Sequence, residues 1–225
     1  MELMLDSANI EKLSKLAQIY PYVGVTSNPS IIKEEGKINF FEHFNKIREI
    51  IKSNSLHIQV VSVTCDEIVA EARKIVENID ENVYIKIPVT NEGLKAIKIL
   101  KAQGYKITAT AIYTKWQGLL AIANNVDYIA PYFNRIQNLG VDPCDVISCF
   151  RKDIDQSKAN TKILAASFHS GEQVTRALNA GAHAVTIQPK LLETMLEADY
   201  ITEAVNTFAK HWKESQNSNN ILDCE

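Results

Sequence analysis

One lysine, Lys86, stands inside the apolar stretch VYIKIPVT, residues 83–90. Period-two alternation sets Val83, Ile85 and Ile87 on one face of a short strand and Tyr84, Lys86 and Pro88 on the other, with the strand stopping near Pro88. On a dry interior face, loss of hydration favours the neutral amine and lowers a lysine pKa by up to about 3–5 units in extreme cases. A neutral amine is a nucleophile, and with a carbonyl substrate it forms a Schiff base. The plainer reading is a lysine whose stem packs along the strand while its head reaches water or pairs with a carboxylate.

Further polar residues fall at the ends of other candidate strands: Asp6, Thr26 and Asn28, Gln59, Thr110, Tyr132 with Arg135, and Ser167. Each alone has a structural explanation. Asp6 and Asn28 suit helix caps, Gln59 and Thr110 suit satisfied core polars, Tyr132 an aromatic with a wet tip, and Arg135 a surface charge. Converging on a buried lysine, they form a polar site. Ser167 and Ser170 flank a helix start whose free N–H groups and dipole suit an anion, and Arg135 has the fork to hold a phosphate bidentately. His169 reads as a solvated loop histidine.

These residues need a scaffold that brings strand ends together. Strands are expected over 2–5, 22–25, 57–63, 83–88, 106–112, 127–132, 162–167 and 184–187. Helical spacing fills the intervals. Asn9 and Asn28 are N-cap candidates, Pro29 suits the first helical position, and Gly104 and Gly181 suit helix ends. Capping-box spacings occur at Thr64–Glu67 and Ser170–Gln173. The first helix is read through Tyr20, another over 146–154, and the last pair over 190–196 and 200–212, the latter with Ile201, Val205, Phe208 and Trp212 on one face. Alternation of this kind predicts an α/β fold, a single (β/α)8 TIM barrel with a C-terminal helix over residues 1–213, followed by a polar, loose tail over 214–225. The runner-up, a doubly wound open sheet, usually carries fewer strands and a Gly-rich first turn that this sequence lacks. In a barrel, catalytic groups sit at the carboxyl ends of the strands, and phosphate often binds after strands seven and eight.

With 24 Lys+Arg against 27 Asp+Glu, the net charge of −3 gives no global attraction to nucleic acid or to an anionic membrane surface. Cys65, Cys144, Cys149 and Cys224 form no C-x-x-C pair and the histidines no H-E-x-x-H, so the cysteines read as free thiols and no metal site is expected. The start, MELMLDSANI, lacks a basic region followed by an apolar one, and no long apolar run occurs, which leads to the expectation of a soluble cytoplasmic protein.

The segments MELMLDSAN, GVTSNPSII, VYIKIPVTNEGLKAIKIL, ATAIYTKWQGLLA, YIAPYFNRI and ILAASF together span almost the whole chain. In them the sequence resembles the small transaldolases and fructose-6-phosphate aldolases, class I (Schiff-base) enzymes on a (β/α)8 barrel. The resemblance implies that Lys86 is the Schiff-base lysine and Asp6 the carboxylate near it. It assigns substrate contacts to Thr26, Asn28, Arg135 and Ser167, and matches Thr110 to the family's strand-five threonine. Transaldolases typically carry Glu on strand three and Phe at the end of strand six. Gln59 and Tyr132 stand here instead, which leans toward the aldolases. By the same resemblance, Tyr132 and Gln59 order a water for proton transfer, no metal or organic cofactor takes part, and the protein forms a homo-oligomer, a pentameric ring or a decamer. His169 stands where relatives usually have Lys or Arg, and Gln188 where they usually have an apolar residue or proline.

The implied activity is cleavage or formation of fructose 6-phosphate from dihydroxyacetone and glyceraldehyde 3-phosphate. The alternative is a transaldolase passing the dihydroxyacetone unit between sugar phosphates of the pentose phosphate pathway. From other classes come a non-catalytic sugar-phosphate-binding barrel, and an isomerase or epimerase, for which a second carboxylate or a glutamate base at a strand end would be expected. No such group is evident in the sequence.

Overall fold

The computed structural model describes residues 1–223; Cys224 lies outside them. The chain divides into two compact units, Met1–Pro189 and a second beginning at Lys190.

In the first unit, eight parallel strands close into a barrel in sequence order. They are β1 (Glu2–Asp6), β2 (Gly24–Thr26), β3 (Ser55–Gln59), β4 (Val83–Pro88), β5 (Lys106–Ile112), β6 (Tyr128–Pro131), β7 (Lys162–Ala165) and β8 (Ala184–Ile187). β1 pairs with both β2 and β8, which closes the sheet and leaves no edge. Helices alternate with them: α1 (Ile10–Leu16), α2 (Pro29–Glu34) and α3 (Phe40–Ile51), α4 (Cys65–Asn78), α5 (Asn91–Ala102), α6 (Lys115–Ala123), α7 (Phe133–Asn138) and α8 (Pro143–Ser157), and α9 (Gly171–Asn179). Among the described residues, no helix is long and apolar enough to cross a membrane.

Alternation sorts the strand residues into two sets. Leu5, Val25, Ile58, Ile85, Ile87, Ile107, Ile129, Ile163 and Val185 are buried and form the apolar seam under the helices. The alternate residues fill the barrel, as bonds between non-adjacent strands demonstrate. His57 Nδ1 lies 2.8 Å from Thr108 Oγ1 across β4, and Tyr128 donates its hydroxyl to Glu2 over 3.1 Å. The His57 ring stacks on Tyr84 with centroids 4.5 Å apart. Met4, Tyr128, Leu164 and Ala184 form a core cluster with Tyr84 packed against it. Burial, and then the charge of Lys86, hold His57 far below the usual histidine range, so it is neutral. The interior is thus a packed plug, and Lys86 belongs to the same inward-facing set.

Several elements differ from the sequence expectation. β3 ends at Gln59 rather than Val63, because the Glu71 carboxylate takes the Val61 and Ser62 amides at 2.8 and 3.1 Å and draws the chain off the sheet. The expected capping box at Thr64 does not form: its hydroxyl bonds Glu67 directly at 2.7 Å, and Glu92 of α5 accepts from the Cys65 amide. At Ser170 only half of the box forms, with the Gln173 amide bonded to Ser170 Oγ while Gln173 Oε1 accepts from His169 N. The complete box sits at Thr114 and Gln117. α1 stops at Leu16, and the connection carrying Asn134 and Arg135 is the helix α7.

Gly93 in α5 sets the approach of helix to strand, since an added Cβ would stand 2.0 Å from the Pro88 carbonyl oxygen, two residues beyond Lys86. Gly93→Ala is expected to cost about 1–3 kcal/mol, read as a lower denaturant midpoint at constant slope.

After β8 comes α10 (Pro189–Leu196), and the second unit contains α11 (Asp199–Gln216), so residues 214–216 are helical where the sequence reading begins the tail. α11 has no buried residue, and Val205 and Phe208 of its apolar stripe are exposed.

Candidate active site

Lys86 rises from the middle of β4 between Gln59 on β3 and Thr108 on β5. It is 4 % exposed, and its Nζ donates to the Ser27 carbonyl at 2.8 Å. Desolvation pushes its pKa down, against the pull of Asp6 toward the ammonium. Asp6 ends β1, and burial raises its pKa while Lys86 and the Thr26 hydroxyl pull it back. Both groups are therefore driven toward their neutral forms, the state in which a lysine attacks a carbonyl. Thr26 is fully buried and donates to Asp6 Oδ1 at 2.5 Å, and its oxygen lies 2.6 Å from Thr186 Oγ1 of β8.

A cavity of about 370 Å3 opens over this pair, lined by Asp6, Asn28, Gln59, Lys86, Tyr132, Arg135 and Ser167 among others. Gln59 Oε1 is buried without a protein donor. Tyr132 follows β6, still bridged to Ala166; its hydroxyl lies 3.0 Å from Thr110 Oγ1, and burial raises its pKa. Thr110 itself is fully buried and acts on the cavity through Tyr132. The register of β5 slips between Ala109 and Ile112. Within this bulge Ala111 takes a left-handed conformation at φ 55° and lines the cavity. Such a conformation costs a non-glycine residue roughly 1–2 kcal/mol, and bulges recur beside active sites because they re-aim side chains.

Arg135 stands on α7 with its guanidinium 5.1 Å above the Tyr132 ring and bonded to the Tyr113 hydroxyl at 2.9 Å. With Asn134, Asn138, His169 and Thr186 it lines a second hollow of about 300 Å3 that shares Asp6, Arg135, Ser167 and Gln188 with the first. Ser167 is also left-handed, at φ 64°. Its carbonyl receives the Asn134 amide at 2.9 Å, which ties β7 to α7. The Ser170 hydroxyl is committed to its helix cap. Arg135 and the Ser167 hydroxyl are the groups suited to an anion at this end. Asn28 Oδ1 caps α2 by accepting from the Ser30 and Ile31 amides, and Asn28 also lines the cavity wall opposite.

All nine residues expected from the sequence thus converge at one end of the barrel. Seven line the cavity, while Thr26 and Thr110 stand behind Asp6 and Tyr132. Sequence reading missed Thr186, Tyr113 and Glu34. Glu34 is a further carboxylate in the cavity, delivered by α2 rather than by a strand end.

The family model for transaldolase/fructose-6-phosphate aldolase matches residues 3–223. This chain belongs to that family. It is 48 % identical over 222 residues to the "Probable fructose-6-phosphate aldolase" of Streptococcus pneumoniae (strain ATCC 700669 / Spain 23F-1), covering 98 % of this chain and 100 % of that relative. Against the "Probable transaldolase" of Streptococcus equi subsp. zooepidemicus (strain MGCS10565) it is 37 % identical over 212 residues, 94 % of this chain and 98 % of the relative. The same figures hold for the "Probable transaldolase" of Streptococcus equi subsp. equi (strain 4047). Within the transaldolase/fructose-6-phosphate aldolase family, the cavity of this member combines a buried amine, an adjacent carboxylate, and an amide and phenol facing the same space. Such a set can form an imine and move a proton on and off a substrate hydroxyl.

Proposed function

We propose that the protein is a class I aldolase that cleaves and forms fructose 6-phosphate through a Schiff base on Lys86. The observation that carries this reading is the Lys86–Asp6 pair, the amine buried and the carboxylate half-buried, at the floor of a cavity shared with Gln59 and Tyr132. Neutral Lys86 attacks the C2 ketone, water leaves, and the imine becomes the electron sink for the C3–C4 bond. As that bond breaks, the C4 hydroxyl gives its proton to a water held by Tyr132 and Gln59, with Asp6 beside it. Glyceraldehyde 3-phosphate departs, and the enamine is protonated and hydrolysed to dihydroxyacetone. Arg135 and Ser167 hold the phosphate, and Asn28 and Thr110 the hydroxyl-bearing chain and the phenol beside it. The test is glyceraldehyde 3-phosphate release from fructose 6-phosphate with and without erythrose 4-phosphate. Release without acceptor supports the aldolase, and release only with acceptor overturns it.

The second reading, transaldolase, rests on the names of the relatives at 37 % identity. Gln59 and Tyr132 favour the first, since an amide with a phenol orders a water without the carboxylate that transaldolases typically bring on strand three. A non-catalytic barrel would have no need to bury an amine beside a carboxylate. Family resemblance further supports a homo-oligomer, a pentameric ring or decamer, acting in the cytoplasm on sugar phosphates of the pentose phosphate pathway; light scattering tests the assembly.

Asp6→Asn gives a signed pH test. The Asp6 charge raises the Lys86 pKa against desolvation, so the variant should lower it further. The acid limb of imine formation, followed by borohydride inactivation with fructose 6-phosphate, should move to lower pH while turnover falls about 10²-fold or more. An unmoved limb would separate Asp6 from the amine.

A further inference from the structure

Thr26 has a single hydroxyl proton and two close oxygen partners, Asp6 Oδ1 at 2.5 Å and Thr186 Oγ1 at 2.6 Å. When Asp6 is ionised it can only accept, so the Thr26 proton points to Oδ1, and the second contact requires Thr186 to donate to Thr26. Thr186 is 3 % exposed and Thr26 is 0 % exposed, so water competes poorly for either hydroxyl. The result is a one-way chain across three neighbouring strands, from Thr186 on β8 through Thr26 on β2 to Asp6 on β1. Each donor in such a chain strengthens the next.

Resting on the aldolase reading, we propose that Thr186 is a positioning residue that acts through Thr26 to hold Asp6 Oδ1 as a permanent acceptor, leaving Oδ2 as the oxygen that exchanges protons over the cavity. Oδ1 is occupied by the Thr26 hydroxyl, so proton exchange is left to Oδ2. Reversing the chain would require Asp6 to be protonated on Oδ1 and both threonine hydroxyls to turn together. The groups that set the charge state of Asp6 from the elements around it are Lys86 on β4, Glu34 on α2 and the Thr26 hydroxyl on β2. Tyr132 after β6 senses Asp6, and Arg135 of α7 and His169 of the loop between β7 and α9 line the hollow that Asp6 shares. Thr186 is uncharged, and its influence on titration therefore reads the hydroxyl chain itself.

The experiment compares Thr186→Val and Thr186→Ser with the unmodified protein in fructose 6-phosphate cleavage across pH, with thermal melting run in parallel. Thr186→Val keeps the volume but removes the donor. Its kcat should fall about tenfold, the value of one hydrogen bond to a charged chain, and the acid limb of kcat that follows Asp6 ionisation, as distinct from the Lys86 limb of imine formation, should move to higher pH because the carboxylate loses support. Thr186 also lines the hollow that holds Arg135 and Ser167, but Val fills the same volume and both anion-binding groups remain, so KM should change less than kcat, and Thr186→Ser should restore both rate and pH limb. A Val variant with the original pH profile, or a Ser variant as impaired as Val, would overturn the proposal and reduce Thr186 to packing. If Thr186→Val does not fold, Thr186→Ala is read by the same criteria. Failure of the aldolase reading itself is distinguishable, because the unmodified protein would then release no glyceraldehyde 3-phosphate at any pH.

Discussion

Lys86→Met should abolish fructose 6-phosphate cleavage, by at least about 10⁴-fold, while the barrel folds and melts as before or slightly higher. Loss of a covalent nucleophile removes the whole pathway that depends on it. Stability follows a separate account. Met is similar in bulk and flexible enough to refill the space. The hydrogen bond from Nζ to the Ser27 carbonyl is lost, at roughly 1 kcal/mol, but so is the cost of an amine held at 4 % exposure. Asp6 loses the charge that lowers its pKa and becomes more readily protonated, the direction in which desolvation already drives it. Circular dichroism and a melting curve check the fold, and a coupled assay for glyceraldehyde 3-phosphate checks the rate. Turnover well above background would remove Lys86 from the chemistry.

Tyr132→Phe is the second large effect. Its hydroxyl lies 3.0 Å from Thr110 Oγ1 and its ring carries the Arg135 guanidinium. The substitution keeps the ring and the cation contact but removes the group that orders the proton-transferring water. Cleavage should fall about 10²-fold, the scale of one general acid–base contribution. Transfer to erythrose 4-phosphate should fall less, so the ratio of transfer to cleavage rises. The bound enamine that waits longer for a proton is the one captured by an added aldehyde. Parallel assays with and without acceptor measure the ratio, and an unchanged ratio would deny Tyr132 this discriminating role. Thr110, buried and deprived of its partner, should cost about 1–2 kcal/mol of stability in the same variant.

The lysine strand was legible because its signal is local. Val83, Ile85 and Ile87 alternate with Tyr84 and Lys86, and the structure keeps those sets on opposite faces over the same residues, 83–88. The barrel itself followed from repeated strands and helices. What escaped depends on pairings far apart in the chain. Thr186 meets Thr26 across 160 positions, and nothing in AVTIQP marks that threonine off from any other strand residue. The bulge at Ala111 exists only relative to the β6 register. Glu34 reaches the cavity because α2 starts at Pro29 directly after β2, a matter of helix direction. The β3 end was misread for a related reason: VVSV has strand composition, but Glu71 on α4 claims its amides.

Borohydride trapping tests the central claim most directly. The protein is incubated with fructose 6-phosphate, reduced, weighed intact and digested. A single reduced sugar adduct, mapped to the peptide bearing Lys86 and absent from Lys86→Met, is the predicted result. An unmodified mass, or an adduct mapped to any other lysine while cleavage proceeds, would contradict the account.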